Sequence, residues 1–96
     1  MVQSSQQDGR LVFQFSGRLD TAECARITDP VVEQAQAATQ PLVFDLTGVD
    51  FVASSFLRLC IMVQQKSVSQ PLTLVNVAPL IKKVFKIAGL DQLVAR

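Results

Sequence analysis

The chain has 96 residues, about half of them apolar, with nine basic and eight acidic side chains and a formal net charge of +1. Residues 1–96 are therefore expected to form one domain, whose core needs neither disulfides nor metals. Scattered basic residues and the lack of Tyr and Trp leave no electrostatic footprint for nucleic acid, and the lack of His excludes a Ser-His-Asp relay.

No apolar run is long enough to span a bilayer. No charged segment followed by an apolar stretch opens the sequence, so a cytoplasmic protein is expected. Cys24 and Cys60 have no metal-ligand spacing and read as small core-filling residues.

Asp8-Gly9 is a tight-hairpin signal. Beyond it Leu11, Phe13 and Phe15 alternate with Val12 and Gln14, as in a strand with one buried face. Val2 to Gln7 is expected to be its weaker edge partner. Gly17-Arg18-Leu19-Asp20 leads into a helical stretch ending near Ala38. Pro30 interrupts that stretch, and Asp29-Pro30 suits an N-cap and first helical residue. A short turn followed by a helix from Pro30 is expected.

Leu42 to Leu46 and Leu72 to Val77 read as buried strands, with a helix from Ser54 to Val68 between them. Another helix runs from Pro79 to Ala88, with Gly89 as its left-handed C-terminal cap. In that helix Ile81, Val84, Phe85 and Ala88 share one face. Lys82, Lys83 and Lys86 point elsewhere, as a solvated face or an anion site. Leu90 to Val94 adds a short strand or turn. The order strand, strand, helix, strand, helix, strand, helix indicates an α/β domain whose later strands are parallel.

Residues 42–57 are the most informative segment: a short apolar strand runs through a turn and delivers Ser54 and Ser55 to a helix start. Ser54 suits two roles. It is a helix cap, or it is a hydroxyl placed where an added phosphate is electrostatically welcome, with Ser55 as the fallback acceptor. Asp45 and Asp50, with Thr47 and Ser54 nearby, match no metal-binding loop. On the Ser54 helix, steps of about 100° put Leu57, Cys60, Ile61, Gln64 and Val68 on one face. Phe56, Leu59 and Val63 form an additional apolar flank. That flank is either packing against a neighbouring helix or a docking patch anchored by Phe56.

Three blocks resemble the STAS domain family of bacterial anti-sigma factor antagonists and sulphate transporter tails. They are Gly17-Arg18-Leu19-Asp20-Thr21-Ala22, then Val43 to Phe51 with Ser54, Ser55 and Leu57, and then Val75 to Pro79 with Val84, Phe85 and Ala88-Gly89-Leu90. The resemblance implies a curved mixed sheet of four to five strands with helices mainly on one face, and no catalysis. It implies that Ser54 matches a serine phosphorylated by a partner that is both kinase and anti-sigma factor, and that Asp20 lies on the same partner-facing surface. Where the family has Asp-Ser-Ser-Gly-Leu, this chain has Ala53-Ser54-Ser55-Phe56-Leu57, so a charge and a small residue are missing. Compared with the longer antagonists, a final helix is expected to be absent.

These readings make the chain a protein-binding module without cofactor, metal, nucleic-acid partner or membrane insertion. The expected partner-binding residues are Asp20, Thr21, Ala53, Ser54, Phe56 and Arg58. The expected partner is a kinase-type anti-sigma factor or, alternatively, a transporter ATPase of the phospholipid-transport type.

Overall fold

The computed structural model describes residues 2–67 and 69–95. Among them, β1 (Val2–Gln7) and β2 (Arg10–Leu19) form a hairpin, followed by α1 (Thr21–Ala37), β3 (Leu42–Val52), α2 (Ser54–Lys66), β4 (Leu72–Val75) and α3 (Pro79–Ile87). A single 3-10 turn, Asp91–Leu93, comes last. The strands form one sheet in the order β1-β2-β3-β4. β1 runs antiparallel to β2, while β2/β3 and β3/β4 are parallel, as expected for strands joined by helices. Val94 bridges Leu74, and Ala95 donates its N–H to the Leu74 carbonyl at 2.8 Å, so the end of the described chain is pinned to β4.

The hairpin turns through Asp8 (φ 52°) and Gly9 (φ 76°), the pair of positive φ angles that an Asp-Gly two-residue turn supplies. Phe13 of β2, Phe44 of β3 and Leu74 of β4 are in register, and all three are fully buried. The opposite face of the sheet carries Gln14, Asp45 and Thr47. The helices cover the aromatic face. Phe56 of α2 and Phe85 of α3 meet the sheet there: Phe15 lies edge-on to Phe44 (4.9 Å) and to Phe56 (5.2 Å), and Phe56 is 6.4 Å from Phe85. No helix of the described residues is long and apolar enough to cross a membrane.

Several expectations change. α1 does not begin at Pro30 but runs unbroken through it from Asp20, whose carboxylate accepts the N–H of Glu23 at 2.9 Å. The stripe Cys24, Ile27, Val31 and Ala35 is buried along the whole length, and Pro30 sits on the exposed side. Continuous burial on one face outweighs the hydrogen bond that proline removes. β3 extends to Val52 rather than Leu46, because β2 keeps pairing with it through two register shifts, out to Leu19 and Val52.

The core face of α2 is also rotated from the expected one. Phe56, Leu59, Cys60 and Val63 are buried, whereas Ile61 is exposed and Leu57 half-buried. α2 ends at Lys66, and Val68 lies outside the described residues. α3 keeps Ile81 and Phe85 inside, but Val84 and Ala88 face out. Gly89 (φ 77°) closes it as expected, with Leu90 N–H bonded to the Phe85 carbonyl at 2.8 Å.

Candidate functional site

β2 and β3 end side by side. Leu19 pairs with Val52, and the Ala53 N–H donates to the Leu19 carbonyl at 2.8 Å. Parallel strands ending together place the starts of the following helices together, so Asp20 and Thr21 of one junction lie beside Ala53 and Ser54 of the other. Five of the six residues expected to bind a partner gather around this corner; the sixth, Phe56, points away from it.

Asp20 is the N-cap of α1 and is half-buried. Thr21 is exposed. Ala53 is the N-cap of α2 and offers that helix no side-chain hydrogen bond. Ser54 is therefore the first residue inside α2 rather than its cap, and it is exposed. Neither a capping side chain nor an acidic residue occupies the first turn, so no side chain of α2 itself offsets the positive end of its dipole.

Ser55 is different. Its Oγ is shut off from solvent. Its polar neighbour is the Cys24 thiol, which donates to the Leu19 carbonyl at 3.6 Å. Burial pushes the Cys24 thiol above its ordinary pKa, against the opposing pull of the Ser55 hydroxyl. Cys60 is pushed up by burial as well. Both cysteines are free and buried, as small core residues are.

Thr21, Cys24, Thr28, Ser55, Arg58 and Met62 line an open groove of about 190 Å³ between α1 and α2. Arg58 is exposed on the α2 side of it.

Phe56 corrects the expectation of a surface anchor. It is fully buried, between Phe15 and Phe85, and offers a partner nothing. The aromatic ring that does reach the surface at this end is Phe51, with the Arg18 guanidinium 4.3 Å above its centre. Sequence reasoning missed that pair, because Arg18 and Phe51 become neighbours only through the shifted β2–β3 register.

Asp45 is engaged in hydrogen bonds within the fold. Its Oδ1 accepts from Thr47 N (3.0 Å), Thr47 Oγ1 (2.5 Å) and Asn76 Nδ2 (3.1 Å). Burial pushes its carboxyl up, but these bonds and one from Gln14 outweigh it and hold the group below its ordinary value.

The result is a mixed sheet with its helix N-termini clustered at one end and an exposed serine opening the second helix. The chain belongs to the STAS family: residues 2–95 match the family described as "Mlab, STAS domain". Among curated proteins it is similar to an anti-sigma factor antagonist, BtrV, of Bordetella bronchiseptica, with 27% identity over 84 residues covering 85% of this chain and 72% of that protein.

Among solved structures it is similar to the anti-sigma factor antagonist SpoIIAA in its unphosphorylated form (TM-score 0.86, 21% identity, 99% of this chain and 86% of that one). The phosphorylated form of SpoIIAA, a Bacillus cell-fate determinant, gives a TM-score of 0.77 at 21% identity, covering 99% of this chain and 89% of that one. A STAS-domain protein of Planctomyces limnophilus gives 0.89 at 21% identity, covering 99% and 90%. At these identities the structural likeness is one of fold.

Proposed function

We propose that this STAS domain acts as an anti-sigma factor antagonist. It binds a kinase-type anti-sigma factor through the corner formed by Asp20, Thr21, Ala53, Ser54 and Arg58, and is released when that partner phosphorylates Ser54. One observation carries the reading: Ser54 is exposed at the first position of a helix that has no side-chain cap and no acid in its first turn. A phosphate there meets the positive end of α2 and is accommodated without disturbing the fold. Yet it puts nearly two negative charges on a surface that the unmodified protein presents as a hydroxyl beside a methyl group. A partner that had desolvated that surface loses its fit.

Ser54 is preferred over Ser55 because a kinase needs an accessible hydroxyl, and Ser55 Oγ is sealed off. The domain turns over nothing alone and acts in the cytoplasm, where such partners operate.

A second reading has its own support. Ala53 stands where the antagonist pattern has an acid, which puts a methyl group in place of a charge directly before Ser54 and suits a permanent dock onto a transporter ATPase. Incubation with each partner and ATP, followed by intact-mass measurement, separates the two. A single phosphoryl increment on Ser54, with loss of the complex, supports the antagonist. A stable complex with the ATPase and no mass gain supports the dock.

A further inference from the structure

α2 leaves one side to solvent. Ser54, Arg58, Ile61 and Gln65 follow the i, i+4, i+7, i+11 spacing of that side, and all four are exposed. Arg58 is the basic residue nearest to Ser54 along the chain. β3 contains none, and the next one in α2 is Lys66, about two turns further on.

Arg58 is uncommitted: among the described residues it forms no ion pair. The other charged groups at this end of the fold have their own places. Asp20 Oδ1 accepts the Glu23 N–H at 2.9 Å, Glu23 pairs with Arg26, and the Arg18 guanidinium lies 4.3 Å over the Phe51 ring. Asp50 is exposed near the end of β3.

Residues four apart on a helix have Cβ atoms about 5–6 Å apart, within the combined reach of a phosphoseryl group and a guanidinium. The order is the favourable one, with the anion four residues N-terminal to the cation and toward the positive end of the helix. The planar N–H fork of arginine also matches two phosphate oxygens at once.

Given Ser54 as the acceptor, on which this rests, we propose that Arg58 receives the phosphate, closing over it as a bidentate ion pair along the outer side of α2. In the transfer the γ-phosphoryl of ATP passes to Ser54 Oγ, ADP leaves and the hydroxyl proton is lost. In the unmodified chain Arg58 is presented to solvent beside the α1–α2 groove that it lines. In the phosphorylated chain it turns along its own helix. One event thus adds a dianion to the docking corner and takes a cation out of it.

The test uses the full chain with phosphoserine installed at position 54 during synthesis, so that no kinase is needed. The phosphorus resonance is followed against pH in the wild-type background and in R58Q, R58K and R18Q. Phosphoserine passes between its singly and doubly charged forms at about pH 6. With Arg58 present, that midpoint is expected to lie about half a pH unit or more below the midpoint of R58Q, because the guanidinium favours the dianion. High salt is expected to narrow the gap. R58K keeps the charge without the fork and is expected to fall between the two. R18Q is expected to match the wild-type chain. The Arg58 Nε–H resonance is expected to move between the unmodified and phosphorylated chains. Arg58 is exposed, so R58Q should keep the fold. Should it not, R58K and the Arg58 resonance decide.

Equal midpoints in the wild-type chain and R58Q overturn the proposal, as does an Arg58 resonance that ignores the phosphate. A larger shift in R18Q than in R58Q overturns it too and gives the phosphate to Arg18. Failure of a kinase-type partner to phosphorylate Ser54 would instead refute the acceptor role and leave these midpoints unchanged, so the switch and the Arg58 pair fail separately.

Discussion

The Ala53 N–H donates to the Leu19 carbonyl at 2.8 Å, joining the two strand-to-helix junctions of the candidate docking corner. It is the last backbone link before both chains turn away into helices. The relative placement of Thr21 and Ser54 therefore rests on main-chain pairing rather than on their own side chains. Substitutions at Thr21, Ala53 or Ser54 change the chemistry of the corner and leave its geometry alone.

Ala53 occupies the N-cap of α2 in extended conformation (φ −86°, ψ 166°), the geometry from which a short acceptor side chain reaches the next turn's N–H groups. Ala53→Asp is expected to stabilise the fold by about 1 kcal/mol by supplying the missing cap and a charge of the right sign at the helix end. Urea titration of the two proteins checks it. An unchanged or lower midpoint would show that α2 begins elsewhere.

Phe56 belongs to the core that joins α2 to the sheet, 5.2 Å from Phe15 and 6.1 Å from Phe44 between ring centres. Phe56→Ala is expected to destabilise the domain by about 3–5 kcal/mol, and Phe44→Ala by a similar amount. Any loss of partner binding by Phe56→Ala should follow the unfolded fraction. Binding that weakens in a variant whose denaturation midpoint is unchanged would return Phe56 to the surface.

The element order, the hairpin turn, the parallel later strands and the Gly89 cap were legible because each rests on local chemistry or simple alternation. Pro30 misled because its local cost is visible in sequence, whereas the buried stripe from Cys24 to Ala35 that overrides it is a tertiary fact. Phe56 misled for a related reason. A wide apolar arc on a helix does not say which part of it faces the sheet, and here the flank was the core while Ile61 was left outside. The corner around Ser54 was legible from the family pattern. Arg18 against Phe51 was not, since strand bulges set that register.

Asp45 ties β3 to the residue after β4 through Asn76, itself in left-handed conformation (φ 56°). Hydrogen bonding holds its folded-state pKa below the ordinary value, so its contribution to stability is fully present above the unfolded pKa and is lost as pH falls through the folded one. Below about pH 4 the wild-type chain is therefore expected to lose stability that Asp45→Asn lacks at every pH. Denaturant midpoints at neutral and acid pH should converge for the two proteins as the carboxyl protonates. Parallel curves would mean that the hydrogen bonds around Asp45 contribute nothing.

Ser54 decides between a switch and a permanent dock. Its hydroxyl is exposed and caps nothing, so Ser54→Ala should leave stability within about 0.5 kcal/mol, keep partner binding and abolish phosphorylation. Ser54→Asp adds a negative charge at the positive end of α2. It should hold or raise stability by about 0.3–1 kcal/mol, which makes it a clean mimic: weakened binding cannot be blamed on the fold. Ser55→Ala is the control. Its Oγ is buried against the Cys24 thiol, so removing it should change stability by no more than about 1 kcal/mol and leave phosphorylation at Ser54 intact. Melting curves, intact mass after incubation with kinase and ATP, and binding isotherms measure all three. Undiminished binding by Ser54→Asp, together with no mass gain on the wild-type chain, would sink the switch. Phosphorylation that survives Ser54→Ala and disappears in Ser55→Ala would move the acceptor one residue along, and would require the α1–α2 groove to open in the complex.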